Sequence, residues 1–208
     1  MNNTKWIALI VTILATFLLL VRSDSSEVET SHLDNGAVIL AFGDSLTYGY
    51  GAVAQAYPKE LQTMIGREVI NAGVSGEVSA TGLKRLPKLL EKYHPSLVIL
   101  CHGGNDILRR YSKETLKENL NQMIVLSRAS GAQVLLVGVP GFGLFGLSTV
   151  PLYEELALET NVLYEGSILE KIESEPTLKS DRIHPNSIGY RMMAEAFAKL
   201  LKENGLIE

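Results

Sequence analysis

"LVILCHGGND", residues 97–106, is an unbroken apolar run closed by two glycines, an asparagine and an aspartate. Leu97, Val98, Ile99, Leu100 and Cys101 offer no polar alternation, so a strand built from them must be covered on both faces. That is the situation of a strand inside a parallel sheet. Similar short runs recur on either side, at 37–42, 68–71, 133–139 and, more weakly, 161–164. Helical stripes lie between and after them. Residues 82–93 put Leu83, Leu86, Leu89, Leu90 and Tyr93 on one face, with Pro87 as a potential kink. Residues 113–129 do the same with Leu116, Leu120, Met123, Ile124 and Ser127, and residues 187–203 with Ile188, Met192, Ala196, Phe197 and Leu200. Strand–helix alternation of this kind predicts an α/β domain with helices on both faces of a parallel sheet. There is no internal repeat and no sign of a second domain.

Composition narrows the function. The chain has 208 residues, 46% of them hydrophobic and 20% charged, with a formal net charge of −4. That balance gives no basic footprint for nucleic acid. The single cysteine, Cys101, excludes an internal disulfide and reads as a small buried hydrophobe. No cluster of His, Cys and carboxylates has metal-ligand spacing, so the expected site needs neither metal nor cofactor. At the N-terminus, Lys5 and Arg22 bracket an uncharged run over residues 6–21. Sixteen helical residues reach about 24 Å, short of a hydrocarbon core of about 30 Å that snorkelling Lys5 and Arg22 could bridge, so residues 1–22 read as a membrane anchor or a signal peptide. Both readings place the domain outside the cytoplasm. Residues 23–35 are polar and read as a solvated linker, leaving 36–208 as the folded domain.

In a parallel α/β sheet, ligands gather beyond the carboxyl ends of the strands. The residues just after each strand are therefore informative. Gly43-Asp44-Ser45 comes after the first, Asn71-Ala72-Gly73-Val74-Ser75-Gly76 after the second, and His102-Gly103-Gly104-Asn105-Asp106 after the third; Asp181-Arg182-Ile183-His184 precedes the last helix. A serine hydroxyl becomes nucleophilic when a base takes its proton, and an unperturbed imidazole titrates at about pH 6.5. His184 is the candidate base for Ser45, and Asp181 is close enough in a turn to orient the ring. Acyl transfer also needs donors at the developing oxyanion. The Ser45 and Gly76 backbone N–H groups and the Asn105 side chain are the candidates.

Gly43-Asp44-Ser45-Leu46, the glycine block ending at Gly76, Gly103-Gly104-Asn105-Asp106 and Asp181-Arg182-Ile183-His184 occur in the order of the GDSL, or SGNH, hydrolase family. The stretches "NAGVSGEVSATGLKRLPKLL" and "GGNDILR" most resemble its arylesterase, thioesterase and lysophospholipase branch. The resemblance runs from residue 37 to 201. It implies a three-layer α/β/α sandwich on a five-stranded parallel sheet, flavodoxin-like in order. It also implies Ser45 as nucleophile, Asp181 and His184 as its triad partners, and Ser45, Gly76 and Asn105 as the oxyanion hole. The substrate implied is a small acyl ester or a lysolipid. The rival readings are a carbohydrate acetylesterase on the same fold and a non-catalytic binding module.

Other residues attract blander readings. Asp44 reads as a turn brace, Asp106 as a loop brace, and His102 as structural or substrate-lining. Gly141-Phe142-Gly143-Leu144-Phe145-Gly146 matches G-x-G-x-x-G, but it lies late in the sheet and opens no helix. It reads better as an apolar loop over the strand ends, with Phe142, Leu144 and Phe145 lining an acyl groove.

Overall fold

The structure is a computed structural model that describes residue 28 and residues 30–208, except 144 and 145. The anchor or signal expected over residues 1–22 therefore lies outside the described residues, as do Leu144 and Phe145. Among the described residues no helix is long and apolar enough to cross a membrane.

In chain order the elements are β1 (Val38–Gly43), α1 (Ser45–Tyr48), a 3-10 turn (Val53–Gln55), α2 (Tyr57–Ile65), β2 (Glu68–Gly73), α3 (Ser79–Tyr93), β3 (Leu97–Cys101), α4 (Gly104–Leu108) and α5 (Lys113–Ala129). They continue with β4 (Gln133–Val137), β5 (Pro140–Gly143), β6 (Gly146–Thr149), α6 (Leu152–Thr160), β7 (Leu163–Glu165), α7 (Ile168–Ser174), a 3-10 turn (Pro176–Leu178) and α8 (Ser187–Glu203). Five strands form one sheet in the order β2-β1-β3-β4-β7, every pair parallel. All five expected runs are in it. β3 lies beside β1 and β4 and is buried along its whole length, as its apolar sequence requires.

The connection from β1 to β2 steps one way across the sheet, and the later ones step the other. Right-handed crossovers then put α2 on one face and α3, α5 and α6 on the opposite face. Packing agrees: α2 meets α8, while α3 meets α5 and α5 meets α6. The reversal falls between β1 and β3, the switch point where doubly wound sheets open a crevice. Ser45 and Asn105 lie just beyond the ends of those two strands.

The stripe expected on α5 is the buried one, Leu116, Leu120, Met123, Ile124 and Ser127. On α3, Leu86 and Leu90 are buried while Leu83, Leu89 and Tyr93 are only half-buried, and Pro87 sits within a continuous helix. The face expected on α8 needs correction. Gly189, Tyr190, Met193, Ala194, Phe197 and Leu201 are buried, whereas Ile188 is 58% exposed. Phe197 meets Tyr57 of α2 edge-on at 5.1 Å, and a Cβ on Gly189 would lie 2.6 Å from the Leu178 carbonyl oxygen. These close contacts set the rotation of the helix. A hydrophobicity count gives Gly189 no weight and so missed it.

The far end of the expected linker is largely exposed, as Ser31, His32, Asp34 and Asn35 are, but it is pinned to the domain. Thr30 Oγ1 donates to the Asn204 carbonyl at 2.8 Å, and Leu33 N–H donates to the Leu206 carbonyl at 2.8 Å. Leu33 itself is buried in the core. Packing thus begins about at residue 30, ahead of the expected boundary at 36.

Candidate active site

Each residue of Gly43-Asp44-Ser45-Leu46 has a physical task. A Cβ on Gly43 would lie 2.0 Å from the Cys101 carbonyl oxygen, so only glycine lets β1 end this close to β3. Asp44 is buried and its Oδ1 accepts the Leu46 N–H at 3.1 Å, capping the short helix α1. Burial pushes the Asp44 carboxyl up; the nearby His102 and the hydrogen bonds from Leu46, Gly104 and Asn105 oppose that. Leu46 points into the core. Ser45 is left half-buried at the strand edge, with its Oγ 3.0 Å from His184 Nε2.

His184 is held from its other side. Asp181 Oδ2 lies 2.8 Å from His184 Nδ1, and Asp181 Oδ1 accepts the backbone N–H groups of Ile183 and His184, both at 2.9 Å. Partial burial alone would raise the Asp181 carboxyl; the backbone donors of His184 and Ile183 and the His184 ring outweigh it and hold the carboxyl below its ordinary range. An ionised carboxylate facing Nδ1 fixes the proton there, so Nε2 presents a lone pair to the serine hydroxyl. Asn186 caps α8 through the Ile188 and Gly189 N–H groups, which anchors the loop behind His184. The Tyr50 ring packs at a tilt of 38° against the His184 ring, with centroids 4.5 Å apart.

Of the expected oxyanion donors, Ser45 and Asn105 line one cavity with His184, while Gly76 stands next to Glu77, whose carbonyl Asn105 Nδ2 meets. Among the described residues neither the Ser45 N–H nor the Gly76 N–H donates to another group. Gly76 takes a positive φ of 79° in the loop after β2, a conformation that suits glycine. Its carbonyl accepts Arg109 Nη2 at 3.1 Å. Asn105 Nδ2 donates to the Glu77 carbonyl at 3.0 Å and to Asp44 Oδ2 at 3.3 Å.

The loops that carry these groups are cross-braced. Asp106 is buried, and its two oxygens accept the Ser79 Oγ–H at 2.7 Å and the Ser79 N–H at 2.8 Å. His102 is fully buried and structural: its Nδ1 accepts the Gly103 N–H at 2.9 Å, so Nε2 carries the proton given to Glu77 Oε2 at 3.2 Å. Burial alone would raise the Glu77 carboxyl, but His102 and Arg85 hold it below its ordinary range. Tyr50, Glu77 and the His102 partnership escaped the sequence reading, because each depends on which loops meet.

Beyond Ser45 the surface opens into two adjoining cavities. The smaller, about 40 Å³, is lined by Ser45, Asn105 and His184; the larger, about 520 Å³, by Ile107, Leu108, Phe142 and Leu147. Leu108, Pro140, Glu173 and Ile183 belong to both walls. The segment expected as an apolar loop is instead an antiparallel hairpin of β5 and β6, with Phe142 paired with Leu147. Its glycines open no helix, so the dinucleotide fingerprint has no physical basis here. Phe142 is 80% exposed at the groove's rim, and Leu144 and Phe145 lie outside the described residues.

A doubly wound sheet whose strand-end loops bring a serine to a histidine, and the histidine to an aspartate, defines a serine hydrolase acting on ester bonds. The chain belongs to the GDSL-like lipase/acylhydrolase family, which matches residues 41–192. It is similar to an arylesterase of Vibrio mimicus, 32% identical over 174 residues that cover 78% of this chain and 87% of the relative. It is equally similar to the thioesterase 1/protease 1/lysophospholipase L1 of Escherichia coli K12, 32% identical over 172 residues covering 79% and 83%. Among solved structures, the psychrotrophic esterase EstA from Pseudoalteromonas sp., inhibited by monoethylphosphonate, superposes with a TM-score of 0.73 at 27% identity. That match covers 82% of this chain and 98% of EstA.

Proposed function

We propose that the chain hydrolyses carboxylic esters and thioesters of lipid-like or aryl substrates in two steps, through an acyl-enzyme on Ser45. The observation that carries this reading is the line from Ser45 Oγ to His184 Nε2 at 3.0 Å and from His184 Nδ1 to Asp181 Oδ2 at 2.8 Å. His184 takes the hydroxyl proton as Ser45 attacks the ester carbonyl. The carbonyl oxygen, now negative, is met by the Ser45 and Gly76 N–H groups and by Asn105 Nδ2. The imidazolium, stabilised by Asp181, then gives its proton to the leaving alcohol or thiol. Water enters, loses a proton to His184 and attacks the acyl-enzyme; Ser45 leaves with the proton returned, and the acid is released.

The apolar lining of the larger cavity, from Ile107, Leu108 and Leu147, supports an alkyl or aryl group over a sugar. The uncharged N-terminal run over residues 6–21 supports an extracytoplasmic place of work. The reading is tested with p-nitrophenyl esters. Ser45→Ala is expected to lower kcat by on the order of 10⁴-fold or more with the melting temperature kept. Retention of wild-type turnover by that variant would remove Ser45 from the chemistry.

A further inference from the structure

Glu173, the penultimate residue of α7, lines both the small cavity at Ser45 and the larger groove beside it. It is half-buried, and among the described residues its carboxyl has no hydrogen-bond partner. No buried side-chain oxygen or nitrogen among those residues lacks a partner, so the unpartnered Glu173 oxygens keep contact with solvent, in a residue that lines both cavities. The nearest cation in the next loop, Lys179, spends its ammonium on the Glu173 backbone carbonyl at 2.6 Å. Asp44 and His184 line the small cavity with Glu173, and Arg110, Tyr111 and Lys113 line the groove with it. A carboxyl without a structural partner, at the junction an acyl chain must cross, is explained by no packing role.

We propose that Glu173 sets the acyl-chain preference of this enzyme, admitting a plain alkyl chain past the Ser45 cavity when its carboxyl is protonated and resisting it when ionised. The inference rests on the esterase reading above. Burial raises this carboxyl to about 8; Asp44 adds to the shift and Lys179 opposes it. At pH 7 most molecules therefore present a neutral carboxyl, whose remaining water an alkyl chain displaces cheaply. At pH 9 the same chain has to strip water from a carboxylate, which costs far more. An acetyl group ends in the small cavity and leaves that water in the groove. Chain binding and proton binding thus favour each other, and long acyl groups lose ground as pH rises.

The test is the ratio of kcat/KM for p-nitrophenyl octanoate to that for p-nitrophenyl acetate, measured on the full chain from pH 6 to 9.5. Any pH effect on the chemistry shared by the two esters cancels in the ratio. The wild-type ratio is expected to fall by about tenfold between pH 7 and pH 9, as a group titrating about pH 8 goes from mostly protonated to mostly ionised. Glu173→Gln is expected to hold the ratio flat across that range. Glu173→Leu is expected to be flat and to favour octanoate more than the wild type does at every pH. A wild-type ratio that does not change with pH, or one that falls equally in Glu173→Gln, would overturn the inference while leaving the esterase reading intact. A wild-type protein that cleaves neither ester would overturn both.

Discussion

Asn105 has two amide hydrogens and three places that could use them. The Glu77 carbonyl takes one at 3.0 Å, and Asp44 Oδ2 takes the other in a long 3.3 Å bond. The third place is the open cavity beside Ser45, where an oxyanion would form. A negative oxygen there competes well with the long Asp44 bond, whereas the shorter bond to Glu77 keeps the amide aimed. Donors of this type matter most in the transition state, where the charge appears. Asn105→Ala is accordingly expected to lower kcat by on the order of 10²–10³ with little change in KM. A loss confined to KM in steady-state kinetics would place Asn105 in ground-state binding instead.

At the scale of elements, the site is a junction of loops braced against one another. Asp106, at the start of α4, holds the first turn of α3 through Ser79, and so controls the loop between β2 and α3 that carries Gly76. Asp106→Ala strands the buried Ser79 N–H, which costs roughly 1–3 kcal/mol. For a chain of this size that lowers the melting temperature by roughly 2–12 °C, and kcat is expected to fall with it as the proposed Gly76 donor loses its place. An unchanged melt with full activity would show that the loop holds itself. The strands and the loops at their ends were readable from sequence because apolar runs closed by Gly, Asn and Asp carry both signals locally. The β5–β6 hairpin was not, since Pro140, Gly141 and Gly143 weaken any strand pattern. The rotation of α8 was hidden for a related reason: Gly189, its closest contact with the Leu178 carbonyl, has no side chain to count.

Across the whole molecule, the doubly wound order brings Ser45 within 3.0 Å of a ring 139 positions away in sequence. That convergence could be anticipated, because each segment sits after a strand or before the last helix, and parallel topology gathers those points at one edge. Glu173 and Tyr50 could not be anticipated in the same way. Glu173 stands in "LEKIESEP" (169–176) with no turn signal or motif around it, and only the packing of α7 against the hairpin and α8 turns it to the groove. Tyr50 reaches His184 because the loop after α1 folds back, its carbonyl held by the Tyr190 hydroxyl at 2.9 Å. If the convergence makes Ser45 the nucleophile, a fluorophosphonate applied to the folded protein has one place to react, and mass spectrometry of the adduct locates it. One adduct per chain is expected, on the peptide carrying Ser45, absent in Ser45→Ala and strongly slowed in His184→Ala. An adduct on another residue, or an unmodified Ser45 after the reagent has had ample time, would contradict that role.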